Sequence, residues 1–448
     1  MRVRRPGWTA RAGSIPATNK ERYSVMAYHL GSAAGSTTGD LVLRNARVLD
    51  PANGRDGIAD VRIAQGKIVA IDCNLPEQPG DQSLDLTGLI VTPGIIDMHA
   101  HIAHTHERSD LSLHPLVNTL SSGVTTVVDA GTTGWRDFAQ FRHDVLDARW
   151  PIRSLGFVNI VGSGMGGAWE HEEAEFDPKR CADTALMHSD VVVGIKTAHY
   201  WARRRFDERH RPWMAVERAI EAGERAGMPV MFDFFPEIPN RPYEGLLERM
   251  RPGDIHTHCF AQQFQSSDED GTVMPYMWEA RERGLIFDLG HGAGSFWWRH
   301  AIPAVRDGFP PDSISTDLHT GNVAGVVIDM LTCMNKLLAI GVPLGDVIQK
   351  STEAPAKEIN RPELGTLSIG GIADVAVLAL DEGSFDYTDC ERTILTGSQR
   401  LRCELTVFGG RVVYNPNGRG LPTWEQDKAD NPVPFHVRIQ DFDEPQLR

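Results

Sequence analysis

Short apolar runs alternate with helical patterns through the middle of the chain, from Ile90 to about Ile359. Apolar, β-branched runs of this length indicate buried strands, and the helical segments between them indicate βα units around a parallel sheet. The candidate strands are 90–99, 124–129, 154–160, 191–196, 229–234, 254–259, 284–289 and 313–317. The pattern predicts an α/β fold, a (β/α)8 TIM-type barrel over residues 90–359, with its active site at the carboxyl ends of the strands.

Two stretches that flank this region show short alternating runs instead. Residues 40–89 and 360–419 place such runs between turn pairs such as Asn53-Gly54 and Gln65-Gly66, a pattern typical of antiparallel strands. We therefore expect one small β-sandwich domain formed by both chain ends.

The outermost segments lack periodicity. Residues 1–39 are rich in Arg, Gly and Ser, which predicts an unstructured N-terminal extension, with Met26 as an alternative start. An Arg-rich, acid-poor start can also resemble an organelle transit peptide. Residues 420–448 are polar and charged and predict a C-terminal tail.

Charge and cysteine usage limit the possible partners. The 448-residue chain has a formal net charge of −15, which argues against nucleic acid or an anionic membrane as a partner. No apolar stretch approaches the roughly 20 residues of a membrane helix. Its six cysteines lack paired spacing, as is typical of reduced cytosolic thiols. We expect a cytoplasmic homo-oligomer that acts on a small-molecule substrate.

The first barrel strand ends in a His-x-His pair, His99 and His101, preceded by Asp97. Strand side chains alternate, so both imidazoles point to the same side and could bind one metal ion. Two histidines satisfied inside the core are the alternative. Four later strands favour the metal site, because they also end in residues able to bind metal: Lys196, Asp233, His258 and Asp317.

Lys196 closes a buried strand, where an ammonium is costly unless it is paired or chemically changed. Carbamylation by carbon dioxide would turn it into an anionic carboxylate able to bridge two metals. The alternative is a lysine whose amine reaches solvent beyond the strand end.

Several of these segments together resemble the amidohydrolase superfamily, and within it the amidohydrolase/deacetylase group related to dihydroorotases. The resemblance covers about Asp40 to about Asn415. It depends on the motifs Pro93-Gly-Ile-Ile-Asp-Met-His-Ala-His101, Gly194-Ile-Lys196, Gly253-Asp-Ile-His-Thr-His-Cys-Phe260, Asp288-Leu-Gly-His-Gly292 and Ser315-Thr-Asp-Leu-His319.

The resemblance implies a centre of two divalent metal ions, zinc or alternatively manganese. By it, His99, His101 and Asp317 would hold the more buried ion, carbamylated Lys196 would bridge, and His258 would hold the second ion. Asp317 would also be the catalytic base that takes a proton from a hydroxide held between the metals.

The fifth strand departs from the family pattern, since relatives have a histidine where this chain has Asp233. Asp233 can still bind zinc through oxygen, and this is the interpretation that we favour. His256 could fill the position instead, if it shares a strand face with His258. A third interpretation is that the second metal binds weakly or not at all.

Four residues in loops near the strand ends are candidates for substrate binding. Gly164 lies in a glycine-rich loop that could present amides, and His291 could polarise a carbonyl, although a flexible connection and a loop cap are the alternatives. His199 could line the pocket. Arg203 could receive a substrate carboxylate, although neighbouring arginines more often form a solvated face.

The expected function is metal-dependent hydrolysis of an amide or ester bond in a small acylated compound, as in a deacetylase. The alternatives are hydrolysis of a cyclic amide, as in dihydroorotases and hydantoinases, and a non-catalytic scaffold. A scaffold has no use for all of the metal-binding residues at the strand ends.

Overall fold

The structure, a computed structural model, describes residues 39–105, 110–197, 201 and 204–430. The strands in this part of the chain are β1 (Leu41–Asp50), β2 (Arg55–Ala64), β3 (Lys67–Asp72), β4 (Gln82–Asp85), β5 (Ile90–Pro93), β6 (Ile95–Ala100), β7 (Val124–Asp129), β8 (Arg153–Asn159), β9 (Val192–Thr197), β10 (Val230–Phe232), β11 (Ile255–His256), β12 (Ile286–Phe287), β13 (Val375–Thr388), β14 (Ile394–Phe408) and β15 (Arg411–Tyr414).

The α-helices of the same residues follow or connect these strands. They are α1 (Phe138–Phe141), α2 (Pro178–Met187), α3 (Met214–Ala226), α4 (Tyr243–Arg249), α5 (Pro275–Glu282), α6 (Trp298–Arg306), α7 (Met330–Ile340), α8 (Leu344–Gln349), α9 (Glu353–Glu358) and α10 (Trp424–Asp430). None of the described helices is long and apolar enough to cross a membrane.

Seven strands form a curled parallel sheet in the order β12-β11-β10-β9-β8-β7-β6. The segment 313–318, which we call the closing segment, bonds to both edges of this sheet. The Leu289 amide donates to the Ser313 carbonyl at 3.0 Å, and the His101 amide donates to the Leu318 carbonyl at 2.9 Å. These bonds bring the first and last strands of the sheet together around the closing segment, as a TIM-type barrel requires.

The eighth predicted strand, 313–317, is not a regular strand. The closing segment, which extends to residue 318, forms one bridge to each neighbour, between Asp288 and Ser313 and between Ala100 and Leu318. Asp317 has a φ of 50°, outside the extended region, and the Thr316 amide donates to the Asp97 side chain rather than to a strand. Side-chain bonds therefore replace part of the expected ladder.

The predicted strand 90–99 is two strands in two different sheets. Pro93 lacks an amide hydrogen, and at Gly94 a Cβ would lie 2.1 Å from the Thr125 Oγ1, so the chain bends here where only glycine fits. β5 enters the mixed sheet described next, and β6 enters the barrel.

The strands from both chain ends share one mixed sheet of eight strands. Its order is β15-β14-β13-β5-β1-β2-β3, with β4 paired to β1. Buried side chains from both stretches, among them Leu43, Val61, Val375 and Leu405, lie in one apolar cluster. The sequence predicted a sandwich of two sheets, whereas the strands described in these two stretches belong to a single hydrogen-bonded sheet. The domain bounds stay a prediction.

Candidate metal centre

Three of the predicted metal-binding side chains converge where the barrel strands end. Ligand atoms of His99, His258 and Asp317 lie within 4.8 Å of one another. The Asp317 Oδ1 is 3.4 Å from the His99 Nε2 and 3.0 Å from the His101 Nε2. Residues far apart in sequence therefore meet at one point, as the strand order of a barrel requires.

Two of these residues have a strained backbone. His258 and Asp317 have φ values of 63° and 50°, in the left-handed region that non-glycine residues rarely adopt. Such strain costs about 1–3 kcal/mol and persists where surrounding bonds impose it. The Asp317 amide donates to the His99 carbonyl at 2.6 Å, and the Asn322 side chain donates to the Asp317 carbonyl at 2.6 Å. Backbone bonds thus hold the carboxylate toward the histidines.

The Nδ1 atom of each converging histidine is bonded away from the centre. It lies 2.9 Å from the Thr257 Oγ1 in His99, 2.8 Å from the Thr132 Oγ1 in His101, and 2.5 Å from the Gly290 carbonyl oxygen in His258. The Nε2 atom of each ring therefore points to the centre and is the atom that can bind a metal ion. Imidazole nitrogens together with a carboxylate oxygen are a donor set that suits zinc and related divalent ions.

Asp317 is a carboxylate in this environment. Burial by itself would raise the pKa of Asp317, but the neighbouring His99 and His101 lower that pKa well below its usual range. The side chain is 13 % exposed, so it can be reached from the mouth of the barrel.

Lys196 lies at the same centre on β9. It is fully buried, and its Nζ is 3.4 Å from the His99 Nε2. Burial lowers the pKa of the amine, which the charges of Asp233 and Asp317 oppose. A Cβ at Gly131 would lie 2.4 Å from the Lys196 Cβ, so glycine leaves the space that the lysine fills.

Asp233 follows β10 and also faces the centre. Its Oδ2 lies 3.6 Å from the His258 Nε2, and its side chain is 8 % exposed. If its carboxylate is a metal ligand, Asp233 is expected to lie near the His258 ring, and this distance agrees with that expectation.

His256, the alternative ligand, faces elsewhere. β11 ends at His256, and the positive φ of His258 interrupts the alternation, so the expectation that both histidines share a strand face is wrong. The His256 Nδ1 bonds the Thr257 carbonyl at 2.7 Å. Its Nε2 is buried near the rings of Tyr243 and Phe264 and has no hydrogen-bond partner in the described part of the chain. Burial lowers the pKa of His256 to about 4, so the ring is neutral.

The candidate substrate residues have internal partners where the structure describes them. The Gly164 amide donates to the Val161 carbonyl at 2.9 Å. His291 is fully buried; its Nδ1 bonds the Gly292 carbonyl at 2.9 Å, and its Nε2 accepts from the Lys336 amine at 2.7 Å. His199 and Arg203 lie outside the described residues. The substrate roles of all four stay predictions.

His319 was given no role in the sequence analysis but lies at this site. Its ring is 6.2 Å from the ring of His101, and its Nδ1 accepts from the Gly321 amide at 3.0 Å. The proton is therefore on Nε2, which has no hydrogen-bond partner in the described part of the chain. The Asp-x-His spacing of Asp317 and His319 is the signal that could have identified it.

The amidohydrolase family model matches residues 90–232 and 298–413, more than half of the chain. The chain belongs to the amidohydrolase family. Amidohydrolases generally bind divalent metals, and the converging side chains of this amidohydrolase offer the atoms that such ions need. Membership also makes the protein a hydrolase of small-molecule substrates.

Curated relatives and solved structures of similar length support this assignment. The amidohydrolase is 28% identical to a deacetylase of Agrobacterium fabrum, over 80% of this chain and 88% of the relative. It is also 28% identical to a deacetylase of Enterococcus faecalis, over 84% of this chain and 99% of the relative. Among solved structures it resembles an adenine deaminase (TM-score 0.75, 27% identity, 84% of this chain and 100% of that one) and a dihydroorotase (TM-score 0.71, 27% identity, 84% and 99%).

Proposed function

We propose that this amidohydrolase is a deacetylase-type hydrolase that removes an acyl group from a small N- or O-acylated compound. The convergence of the His99, His258 and Asp317 ligand atoms within 4.8 Å is the observation that carries the proposal. The two deacetylases that match most of the chain support the reaction type.

The proposed centre holds two zinc ions, with manganese as the alternative. His99, His101 and Asp317 bind one ion, and His258 and Asp233 bind the other. Lys196 lies at the same centre as a carbamate; burial lowers the pKa of its amine, which favours the neutral form that reacts with carbon dioxide. When bound, the ions lower the pKa of water and polarise the substrate carbonyl.

Asp317 moves the proton in this proposal. Its carboxylate, kept ionised by His99 and His101, accepts the proton of the attacking water and returns it to the leaving nitrogen or oxygen. The Nε2–H of His319 is a second donor near the mouth of the barrel, placed to hydrogen-bond the substrate.

Hydrolysis of a cyclic amide is the second candidate. The match to a dihydroorotase structure, at a TM-score of 0.71 and 27% identity, favours it specifically. The two reactions share the same attack on a carbonyl, so the loops decide between them. A cytoplasmic location and a homo-oligomeric state stay expectations.

The deciding experiment combines metal analysis with a substrate panel. Purified protein is assayed on N-acetyl amino acids, O-acetyl hydroxy acids, hydantoins and dihydropyrimidines, before and after exhaustive chelation. We expect bound divalent metal, hydrolysis of an acyl compound, loss of that activity on chelation and its return with zinc or manganese. Full activity in protein shown to be free of metal would overturn the metal mechanism. Activity confined to the cyclic amides would replace the deacetylase assignment with the second candidate.

A further inference from the structure

The histidine at the end of the first barrel strand is linked to a buried carboxylate through a threonine. The His101 Nδ1 lies 2.8 Å from the Thr132 Oγ1, which donates to the Asp129 Oδ2 at 2.9 Å. Asp129 also accepts from the backbone amides of Thr132 and Ile102, at 2.7 and 2.9 Å. Since backbone amides can only donate, Asp129 is the acceptor in these bonds, and it also accepts the hydrogen bond of the Thr132 hydroxyl.

His99 has a second link of the same kind, made by residues from the other side of the barrel. The His99 Nδ1 lies 2.9 Å from the Thr257 Oγ1, which donates to the Asp288 Oδ2 at 2.8 Å. Asp288 also accepts from the hydroxyls of Ser315 and Ser313, at 2.7 and 3.1 Å. The same Asp–Thr–His order therefore occurs twice, on separate strands.

The order fixes the position of each imidazole proton. A threonine hydroxyl has one hydrogen, and here that hydrogen points to the carboxylate in a hydrogen bond. The Nδ1 therefore faces only lone pairs of the threonine oxygen. The Nδ1 must then carry a hydrogen, so in the neutral imidazole the Nε2 presents its lone pair to the centre. A histidine binds a metal through a nitrogen that carries no hydrogen, and the bond made by its other nitrogen selects the tautomer.

We propose that Thr132 and Thr257 are positioning residues that hold His101 and His99 as the tautomer with a free Nε2, and that they set the metal affinity of the centre. The roles of Thr132 and Thr257 rest on the metal centre of the proposed function, and neither threonine would contact the ion itself. Partners of ligating histidines typically contribute about 10–100-fold in metal affinity.

Thr133 provides a matched control for Thr132. It is the next residue along the chain and is also fully buried, but its Oγ1 has no hydrogen-bond partner among the residues that the structure describes. Replacing either threonine by valine removes one hydroxyl from a buried site and leaves the size nearly unchanged. Only the Thr132→Val change removes a bond to a histidine.

The first measurement is the zinc dissociation constant of metal-depleted protein, by competition with a chromogenic chelator. We expect Thr132→Val and Thr257→Val to bind zinc about 10–100-fold more weakly than the parent. Thr133→Val should stay within about twofold of the parent, and Thr132→Ser should restore most of the affinity, since it restores the hydroxyl. Equal affinities for Thr132→Val and Thr133→Val would overturn the proposal. Thermal unfolding of each metal-depleted variant shows whether it is folded.

The second measurement reads the tautomers directly and needs no metal. Histidine-selective ¹⁵N NMR of metal-depleted protein should show His99 and His101 with a protonated Nδ1, assigned by the loss of each signal in the corresponding threonine variant. An Nδ1 without a hydrogen on both rings of the parent would contradict the proposal, whatever the zinc affinities of the variants. A failure of the proposed function can be distinguished from a failure of this proposal. A protein that binds zinc tightly but hydrolyses none of the acyl compounds or cyclic amides would contradict the proposed function and leave the threonine roles intact.

Discussion

The Lys196 Nζ lies 3.4 Å from the His99 Nε2, and no carboxylate of the described residues is within ion-pair distance of the amine. A fully buried amine that faces an imidazole nitrogen at this distance is costly to keep as an ammonium. This relationship favours the neutral amine and, with it, the reaction with carbon dioxide.

We expect a carbamate on Lys196. After incubation of the protein with ¹³C-labelled bicarbonate and zinc, the ¹³C spectrum should show one carbamate carbon. Lys196→Met should abolish this signal and lower the bound metal. Lys336→Met is the control, because Lys336 is also buried, with a pKa lowered to about 8 by burial, but its amine bonds His291 and the Val326 carbonyl. A signal that persists in Lys196→Met would assign the carbamate elsewhere.

Asp317→Asn should lower kcat/KM by at least about 10²-fold, the usual contribution of general acid–base catalysis. Asparagine keeps the size and one oxygen but cannot accept the proton. Metal content and thermal unfolding, measured on the same preparation, separate this loss from loss of metal or of fold. A rate equal to that of the parent would place the base at another residue.

Asp233→Ala should lower the bound metal from two ions to one, because it removes the oxygen that lies 3.6 Å from the His258 Nε2. Asp233→His should retain both ions, since imidazole binds zinc and is the ligand that the family resemblance implies at this position. Inductively coupled plasma mass spectrometry gives the metal-to-protein ratio.

His256→Phe is the control for the strand-five position. The His256 ring lies among aromatic side chains and has an unpartnered Nε2, so phenylalanine should leave the metal content unchanged and keep the fold. A loss of metal in His256→Phe with none in Asp233→Ala would reverse the assignment.

Glu358 should make stability depend on pH. The pKa of Glu358 is raised from 4.5 to about 8, mainly by burial and also by the charges of Asp288 and Asp312, against the opposing effects of Ser313 and Lys350. Because the folded-state pKa is above the unfolded value, this contribution to stability is fully present below pH 4.5 and is lost as the pH rises through about 8. Each pKa unit of separation corresponds to about 1.4 kcal/mol.

Glu358→Gln should therefore unfold at the same temperature as the parent near pH 5 and at a higher temperature near pH 9. Glu353→Gln, on the same helix, is the control: Glu353 accepts a hydrogen bond from Lys357, which lowers its pKa. Loss of that carboxylate should give no gain in stability at high pH. Parallel pH profiles for Glu358→Gln and the parent would contradict the prediction.

The sequence predicted the parallel strands and the convergence of His99, Lys196, His258 and Asp317, because apolar runs and the position of each polar residue after a run are local signals. Other features depend on contacts between distant segments. The bend at Gly94 depends on Thr125, and the closing segment depends on bonds to Asp97 and Asp288.

The error over His256 has a similar cause. The alternation of side chains along a strand does not reach His258, because β11 ends two residues earlier and the backbone turns. The threonine links were not predicted either, since the pairing of Thr257 with His99 joins residues far apart in sequence. A threonine carries no pattern that indicates which imidazole it will meet.

The junction between β5 and β6 also has a consequence for biosynthesis. β5 pairs with β13, and the Gly94 amide donates to the Asp374 carbonyl, so the entrance to the first barrel strand is bonded to a segment near the far end of the chain. A ribosome must translate most of the message before these bonds can form. The nascent barrel thus emerges with an unpaired edge at β5, which makes this enzyme a candidate client for chaperones. Premature stop codons between Asp317 and Val375 should be damaging for the same reason, even though they spare the proposed ligands.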